Sequence, residues 1–187
     1  MMRLAFYAPL KPPDHPTPSG DRAMARGLMT ALERTGAEVT LASTLRSRDG
    51  SGDAALQASL FAQAEEQIAR LIPQGRRERW QAWVSYHNYY KAPDLIGPAV
   101  AGALGIPYLQ VESTRARKRL AGPWADCAAA AESAADAAAV IFYVTARDAE
   151  TLRRDAPTGQ HLIHLRPFLC RDTLPTAAAL SGPMLSV

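Results

Sequence analysis

The seven-residue stretch "SYHNYYK" at residues 85–91 gathers side chains that could bind a polyol. His87 can exchange a proton near neutral pH, and Asn88 and Lys91 offer hydrogen-bond donors of two kinds. Tyr89 and Tyr90 add aromatic faces with a hydroxyl at the tip. A lone histidine is usually structural, and that interpretation stays open here. Its neighbours and its position strengthen the case for a ligand role, so we take His87, Asn88, Tyr89 and Lys91 as candidate site residues.

A second group begins at Glu112, whose carboxylate is followed by the basic run "STRARKR" at 113–119. Such a run is most often a solvated surface. If it lies beside a binding crevice, Arg115 and Lys118 could instead hold a phosphate or another anionic group.

A third group lies at the end of the loop "YAPLKPPDHPTPSG", residues 7–20, which contains five prolines. Proline fixes the backbone, so the loop should hold one extended path up to a helix start at Ser19 and Gly20. Free backbone N–H groups at a helix start can bind an anion or a sugar hydroxyl. The simpler alternative is a plain helix cap. Further candidates next to this start are Asp14, His15, Asp21 and Arg22.

Alternating strands and helices must position these groups. The predicted strands are 3–8, 38–43, 82–87, 107–113, 140–145 and 161–167. The predicted helices run from Ser19 to Gly36, around 56–71, and over 94–105, 125–138 and 146–156. This pattern predicts an α/β fold with a Rossmann-like, doubly wound parallel sheet. Ligands of such sheets bind outside the carboxyl ends of the strands, which is where all three groups fall, together with the turns at 46–53 and 145–148.

Several function classes lack their motifs. The first loop has no GxGxxG, and the chain has neither a GxxxxGK[ST] phosphate loop nor a GxSxG nucleophile turn. The tryptophans Trp80, Trp83 and Trp124 are interpreted as packing residues, because basic and aromatic residues alternate too sparsely for a nucleic-acid surface. We therefore expect no nucleic-acid partner.

The composition is that of a globular protein in a reducing compartment. Of 187 residues 48% are hydrophobic, and 21 Lys and Arg against 18 Asp and Glu leave a mild net charge of +3. Cys127 and Cys170 are far apart and have no CxxC spacing, so neither a disulfide framework nor a zinc site is predicted. The apolar runs are too short to span a membrane. We expect a cytoplasmic protein, with peripheral contact at the inner membrane face left open.

The order of these motifs resembles the amino-terminal, acceptor-side half of GT-B glycosyltransferases, in particular the retaining family 4 (group 1) enzymes. The likeness covers nearly the whole chain, although no single motif is decisive. It lies in the first strand with its loop and Ser19-Gly20, and in three longer segments: "SYHNYYKAPDLIGPAVAGALGIPYLQVEST", "AAESAADAAAVIFYVTARDAETL" and "HLIHLRPFL".

The resemblance implies a sugar transfer from a nucleotide-sugar donor to the hydroxyl of a sugar, a lipid-linked or a small-molecule acceptor, with retention. No metal or cofactor is expected. It also implies an acceptor-side domain over residues 1–175, with 176–187 as the linker and start of a donor-binding domain that this chain lacks. The chain alone is therefore expected to be inactive.

The sequence departs from the family at one position. Many relatives have a histidine at the end of the fourth strand, where this chain has Glu112, so His87 could fill part of the same space. His87 and Glu112 are the candidate catalytic residues. Two alternatives stay open: a non-catalytic Rossmann-like module that binds a small anionic ligand or a partner protein, and a nucleotide-sugar epimerase of the same architecture.

Overall fold

The computed structural model describes residues 1–168, and every strand pairing within them is parallel. The strands are β1 (Arg3–Tyr7), β2 (Glu38–Ser43), β3 (Ala82–Asn88), β4 (Tyr108–Ser113), β5 (Val140–Tyr143) and β6 (His161–His164). The helices are α1 (Gly20–Arg34), α2 (Ala54–Glu78), α3 (Gly97–Leu104), α4 (Ala125–Ala137) and α5 (Ala146–Asp155), with a 3-10 turn at Arg117–Arg119. The expected domain boundary after residue 175 and Cys170 lie outside the described residues.

The sheet has the strand order β2-β1-β3-β4-β5-β6. The chain winds one way from β1 to β2 and the other way from β3 to β6, so the winding direction reverses between β1 and β3. This arrangement confirms the predicted Rossmann-like, doubly wound fold. In such a sheet the ligand crevice opens at the reversal point, outside the carboxyl ends of β1 and β3.

Side-chain caps begin three of the helices. Ser19, Asp53 and Thr145 accept hydrogen bonds from first-turn backbone amides of α1, α2 and α5 at 2.9–3.2 Å. The helix start predicted at Ser19 is thus confirmed. Across residues 1–168 none of the helices combines the length and the apolar character needed to cross a membrane.

The sheet separates two apolar clusters because alternate residues of a strand face opposite sides. Trp83 of β3 joins Leu71 of α2 and Ile96 beside α3 on one side. Val84 joins Phe6 of β1 on the other side, under α1. The helices on both faces therefore fix how the strand ends line up at the crevice.

Several predicted boundaries were wrong by a few residues. The second helix, predicted around 56–71, spans Ala54–Glu78 and continues through Pro73. The third helix starts at Gly97 rather than at residue 94. The reason is that the Asp94 carboxylate accepts hydrogen bonds from the backbone amides of Ile96 and Gly97, at 3.0 and 2.7 Å, and so ends the preceding loop. β5 stops at Tyr143, because Thr145 is already the cap of α5, and β6 stops at His164.

Close packing at Gly97 predicts a large effect of a small substitution. A Cβ atom there would lie 2.6 Å from Trp83 Nε1 and 2.6 Å from Tyr108 Cε2. We expect Gly97→Ala to lower the free energy of unfolding by about 2 kcal/mol, since overpacking a core typically costs 1–3 kcal/mol. The measurement is urea denaturation.

Gly102 of the same helix is the matched control for this prediction. A Cβ at Gly102 meets no atom within 4 Å. Gly102→Ala should leave stability unchanged or raise it by up to about 1 kcal/mol, because alanine is the better helix former. Equal stability of the two variants would contradict the packing described at Gly97.

Candidate active site

Two neighbouring strands share an irregularity at their carboxyl ends. Tyr86 lies opposite Val111 and Asn88 opposite Ser113, so His87 and Glu112 occupy the level in between. Both have a left-handed backbone, with φ of 68° and 59°.

A left-handed backbone costs a residue other than glycine about 1–2 kcal/mol. Strain of this kind persists where the surrounding structure enforces it, and it is concentrated at functional sites. The structure thus places the two candidate catalytic residues, His87 and Glu112, at the same level of adjacent strands, beside the reversal point of the sheet.

A carboxylate from α1 reaches this level. Asp21, in the first turn of α1, places Oδ1 3.2 Å from Nδ1 of His87. The His87 side chain is 19% exposed and that of Asp21 is 36% exposed, so the pair lies at the surface of the crevice. The contact orients the imidazole ring and leaves Nε2 as the ring nitrogen that can face a ligand.

The phenol of Tyr86 lies among the same groups. Burial raises the pKa of Tyr86 well above its ordinary value, and the negative charges of Glu112 and Asp21 raise it further. Tyr86 therefore remains a neutral hydroxyl, able to donate a hydrogen bond, at every physiological pH. Asp21, Tyr86, His87 and Glu112 together form what we call the crevice cluster.

Aromatic rings continue from the crevice cluster along the loop after β3. The ring of Tyr89 lies 5.1 Å from that of His87 and 5.6 Å from that of Tyr90, measured between centroids. Burial also raises the pKa of Tyr89, partly opposed by the neighbouring guanidinium of Arg48. These rings give the crevice an apolar wall with polar tips.

Asn88 lies beneath this wall and is buried. Its amide nitrogen donates to the Ala131 carbonyl at 3.0 Å and to the Ser113 hydroxyl at 3.3 Å, and its amide oxygen accepts from the Asp94 backbone at 2.9 Å. Asn88 therefore holds the loop in place from below, and its amide hydrogens are already used within the fold.

Arg115 is also withdrawn from solvent. Its side chain is 1% exposed and forms ion pairs with Glu132 at 2.9 Å and with Asp136 at 2.6 Å, both on α4. The guanidinium joins the end of β4 to α4 and leaves almost no exposed donor for a ligand. Lys118, three residues further on, is exposed.

The remaining candidates of the proline loop make local contacts. Arg22 donates from Nε to the Pro13 carbonyl at 3.3 Å, and His15 accepts at Nδ1 from the Thr17 amide at 3.1 Å. Gly20 is exposed, as is Asp14. Of this group, Asp21 is the residue that contacts the end of β3.

Two open grooves lie away from the crevice cluster. One runs along α1 and is lined by Ser19, Arg22 and Arg26, among others. The other lies between the end of β2 and α2, beside Arg46 and Gln67. Neither groove includes His87 or Glu112.

Sequence reasoning missed Tyr86, Arg48 and the contacts of Trp124. Tyr86 lies next to His87, one residue before the end of the predicted strand 82–87. Its place beside the strand end could have identified it as a candidate. Arg48 lies in the turn at 46–53, which the sequence had already placed at the carboxyl ends of the strands. Trp124 is far from both residues in sequence. Its contacts form only when the chain folds, so no local pattern predicts them.

The likenesses that comparisons with known proteins returned are structural. No protein-family profile matches the sequence, and no curated protein matches it. A crystal structure of UGT73P12 from Glycyrrhiza uralensis, complexed with glycyrrhetinic acid 3-O-monoglucuronide, is similar with 10% sequence identity and a TM-score of 0.46. The match covers 88% of this chain and 48% of that one, so this chain spans about half the length of that protein.

The left-handed backbone of Glu112 generates a prediction on stability. Glycine adopts this conformation without a steric penalty, whereas alanine does not. We expect Glu112→Gly to be more stable than Glu112→Ala by about 1 kcal/mol, since both variants lose the carboxylate and glycine alone relieves the backbone. Chemical denaturation of the pair measures the difference, and equal midpoints would show that the backbone at 112 is unstrained.

Proposed function

We propose that this chain is the acceptor-side domain of a GT-B glycosyltransferase, which transfers a sugar from a nucleotide-sugar donor to an acceptor hydroxyl with retention. The observation that carries the proposal is the pairing of His87 and Glu112, two left-handed residues at the same level of adjacent strand ends, with Asp21 against the histidine. The motifs that resemble family 4 enzymes support it from the sequence.

The crevice cluster has the groups that such a transfer needs on its acceptor side. The reaction breaks the bond from the anomeric carbon to the nucleotide phosphate and forms a bond from that carbon to the acceptor oxygen, which loses its proton. Retention requires that the acceptor oxygen bonds on the face from which the phosphate leaves. In this proposal Nε2 of His87 accepts the acceptor's proton on that face, and Asp21 at Nδ1 stabilises the imidazolium that forms.

Glu112 has a different role in the proposed reaction. Sugar transfer passes through a transition state with positive charge at the anomeric carbon. A carboxylate at the same level as His87 can stabilise that charge. The hydroxyl of Tyr86, kept neutral by its raised pKa, is hydrogen-bonded to Glu112 and can hold that carboxylate in position.

The partial exposure of the crevice cluster fits one half of a two-domain cleft. A site that catalyses group transfer has to exclude water from its reacting atoms. The crevice cluster is only partly covered by this chain, with Asp21 36% exposed. We propose that a donor-binding domain closes over it and supplies the contacts to the nucleotide and its phosphates.

The test is transfer of a labelled sugar by the native gene product. It is incubated with a panel of labelled nucleotide sugars and with extracts that contain acceptors, and the anomeric configuration of the product is read by NMR. We expect a glycoside of unchanged configuration. His87→Ala should lower kcat by roughly 100-fold, as loss of a general base does.

His161→Ala is the matched control for this assay, because His161 is an exposed histidine at the start of β6. It should keep the wild-type rate. Transfer that is unaffected by His87→Ala would contradict the role given to His87. Absence of any transfer, with a small molecule still bound at the crevice, would favour the non-catalytic binding module.

A further inference from the structure

Two cations and two aromatic rings form a separate feature beside the crevice cluster. The rings of Tyr90 and Trp124 meet edge to face at 5.9 Å. Nζ of Lys91 lies 4.8 Å from the centroid of Trp124, and the guanidinium of Arg119 lies 5.1 Å from that of Tyr90. We call these four residues the cationic platform.

The charges of the platform are not neutralised within residues 1–168. Other arginines of the same run have acidic partners: Arg115 pairs with Glu132 and Asp136, and Arg117 with Asp155 at 3.3 Å. Lys91 and Arg119 form no ion pair with any described carboxylate, and Nε of Arg119 is buried without a hydrogen-bond partner there. Their positive charges are therefore available to a ligand.

The platform is held in place by the turn that precedes α2. Trp124 donates from Nε1 to the Asp49 carbonyl at 3.2 Å. The carboxylate of Asp49 is itself fully buried, and although burial raises its pKa, hydrogen bonds from Gln57 and from the amides of Ser51 and Gly52 outweigh this and bring the pKa to about 2. The side-chain amide of Gln57 also donates to the Pro123 carbonyl at 2.8 Å. The support of Trp124 is thus formed before any ligand binds.

The platform is also continuous with the crevice cluster. Tyr89 is in ring contact with both His87 and Tyr90, so a short wall of aromatic side chains leads from the candidate base to the platform. One ligand could place a hydroxyl at His87 and an anionic group at Lys91 and Arg119.

We propose that the cationic platform binds a phosphate or diphosphate group, and that the acceptor is a phosphorylated compound. Arginine and lysine are the side chains that bind phosphate oxygens most often, and desolvation by the rings strengthens the attraction. Naming the ligand an acceptor rests on the proposed function, whereas the anion site rests on the platform alone.

Trp124 reports on this site through its fluorescence. Trp80 and Trp83 are 4% and 0% exposed, so the anionic quencher iodide should act mainly on Trp124. We expect inorganic pyrophosphate to lower the iodide quenching constant at least twofold, at a constant ionic strength set with chloride. Lys91→Gln and Arg119→Gln should each raise the pyrophosphate concentration needed for half of this protection at least tenfold. Arg77→Gln, at an exposed arginine of α2, is the matched control and should change nothing.

A second arm separates two sources of the phosphate. Vesicles of phosphatidylcholine with and without phosphatidylglycerol are sedimented with the protein and with the same variants. Sedimentation that requires phosphatidylglycerol, Lys91 and Arg119 would assign the phosphate to a lipid. Protection by pyrophosphate in the absence of such sedimentation would assign it to a soluble phosphorylated ligand. The proposal would be overturned by the absence of both a pyrophosphate effect and such sedimentation. It would also be overturned if Lys91→Gln and Arg119→Gln showed the same effects as the wild type. Neither arm requires sugar transfer, so failure of the proposed function is recognised separately.

Discussion

The buried carboxylate of Asp94 is the constraint on which the crevice depends. It accepts hydrogen bonds from the hydroxyls of Ser85 and Tyr108 and from the backbone amides of Ile96 and Gly97. A buried carboxylate is tolerated only when its hydrogen-bonding capacity is filled, so these donors fix the loop between β3 and α3 tightly. That loop carries the aromatic wall and Lys91. The Asp94 amide, bound to Asn88, ties the end of β3 to the same network.

This rigid support explains how strain can persist beside it. His87 lies directly before Asn88, and Glu112 directly before Ser113, and Asn88 and Ser113 contact each other below the surface. The buried residues hold both strand ends, and His87 and Glu112 take the left-handed conformation at the exposed level. The supporting residues and the candidate site residues are therefore different. Asn88, Asp94 and Arg115 hold the edge of the sheet, and the crevice cluster lies above them.

The sequence predicted those parts of the fold that local patterns determine. Alternating elements specified the parallel sheet, and the Ser19 cap and the apolar face of α1 located that helix. The sequence also predicted that His87, Glu112 and Asp21 lie at one edge of the sheet. That prediction depends only on strand direction, because parallel strands all end at the same edge. Tertiary contacts decided the rest: Arg115 and Arg119 belong to the same basic run, yet one meets acids of α4 and the other meets the rings of Tyr90 and Trp124. The left-handed backbone at His87 and Glu112 likewise has no local signal, since neither residue is glycine.

The most direct measurement of the central claim is the rate of sugar transfer by Glu112→Gly beside that of Arg79→Gly. Arg79 also has a left-handed backbone, with φ of 57°, but it lies at the end of α2, where this conformation is an ordinary helix terminus. Our account predicts that Glu112→Gly loses at least about tenfold in kcat/KM, as expected for loss of a charge that stabilises the transition state, while Arg79→Gly keeps the wild-type rate. Equal rates in both variants would contradict it and would make the strained pair of strand ends a feature of the fold alone.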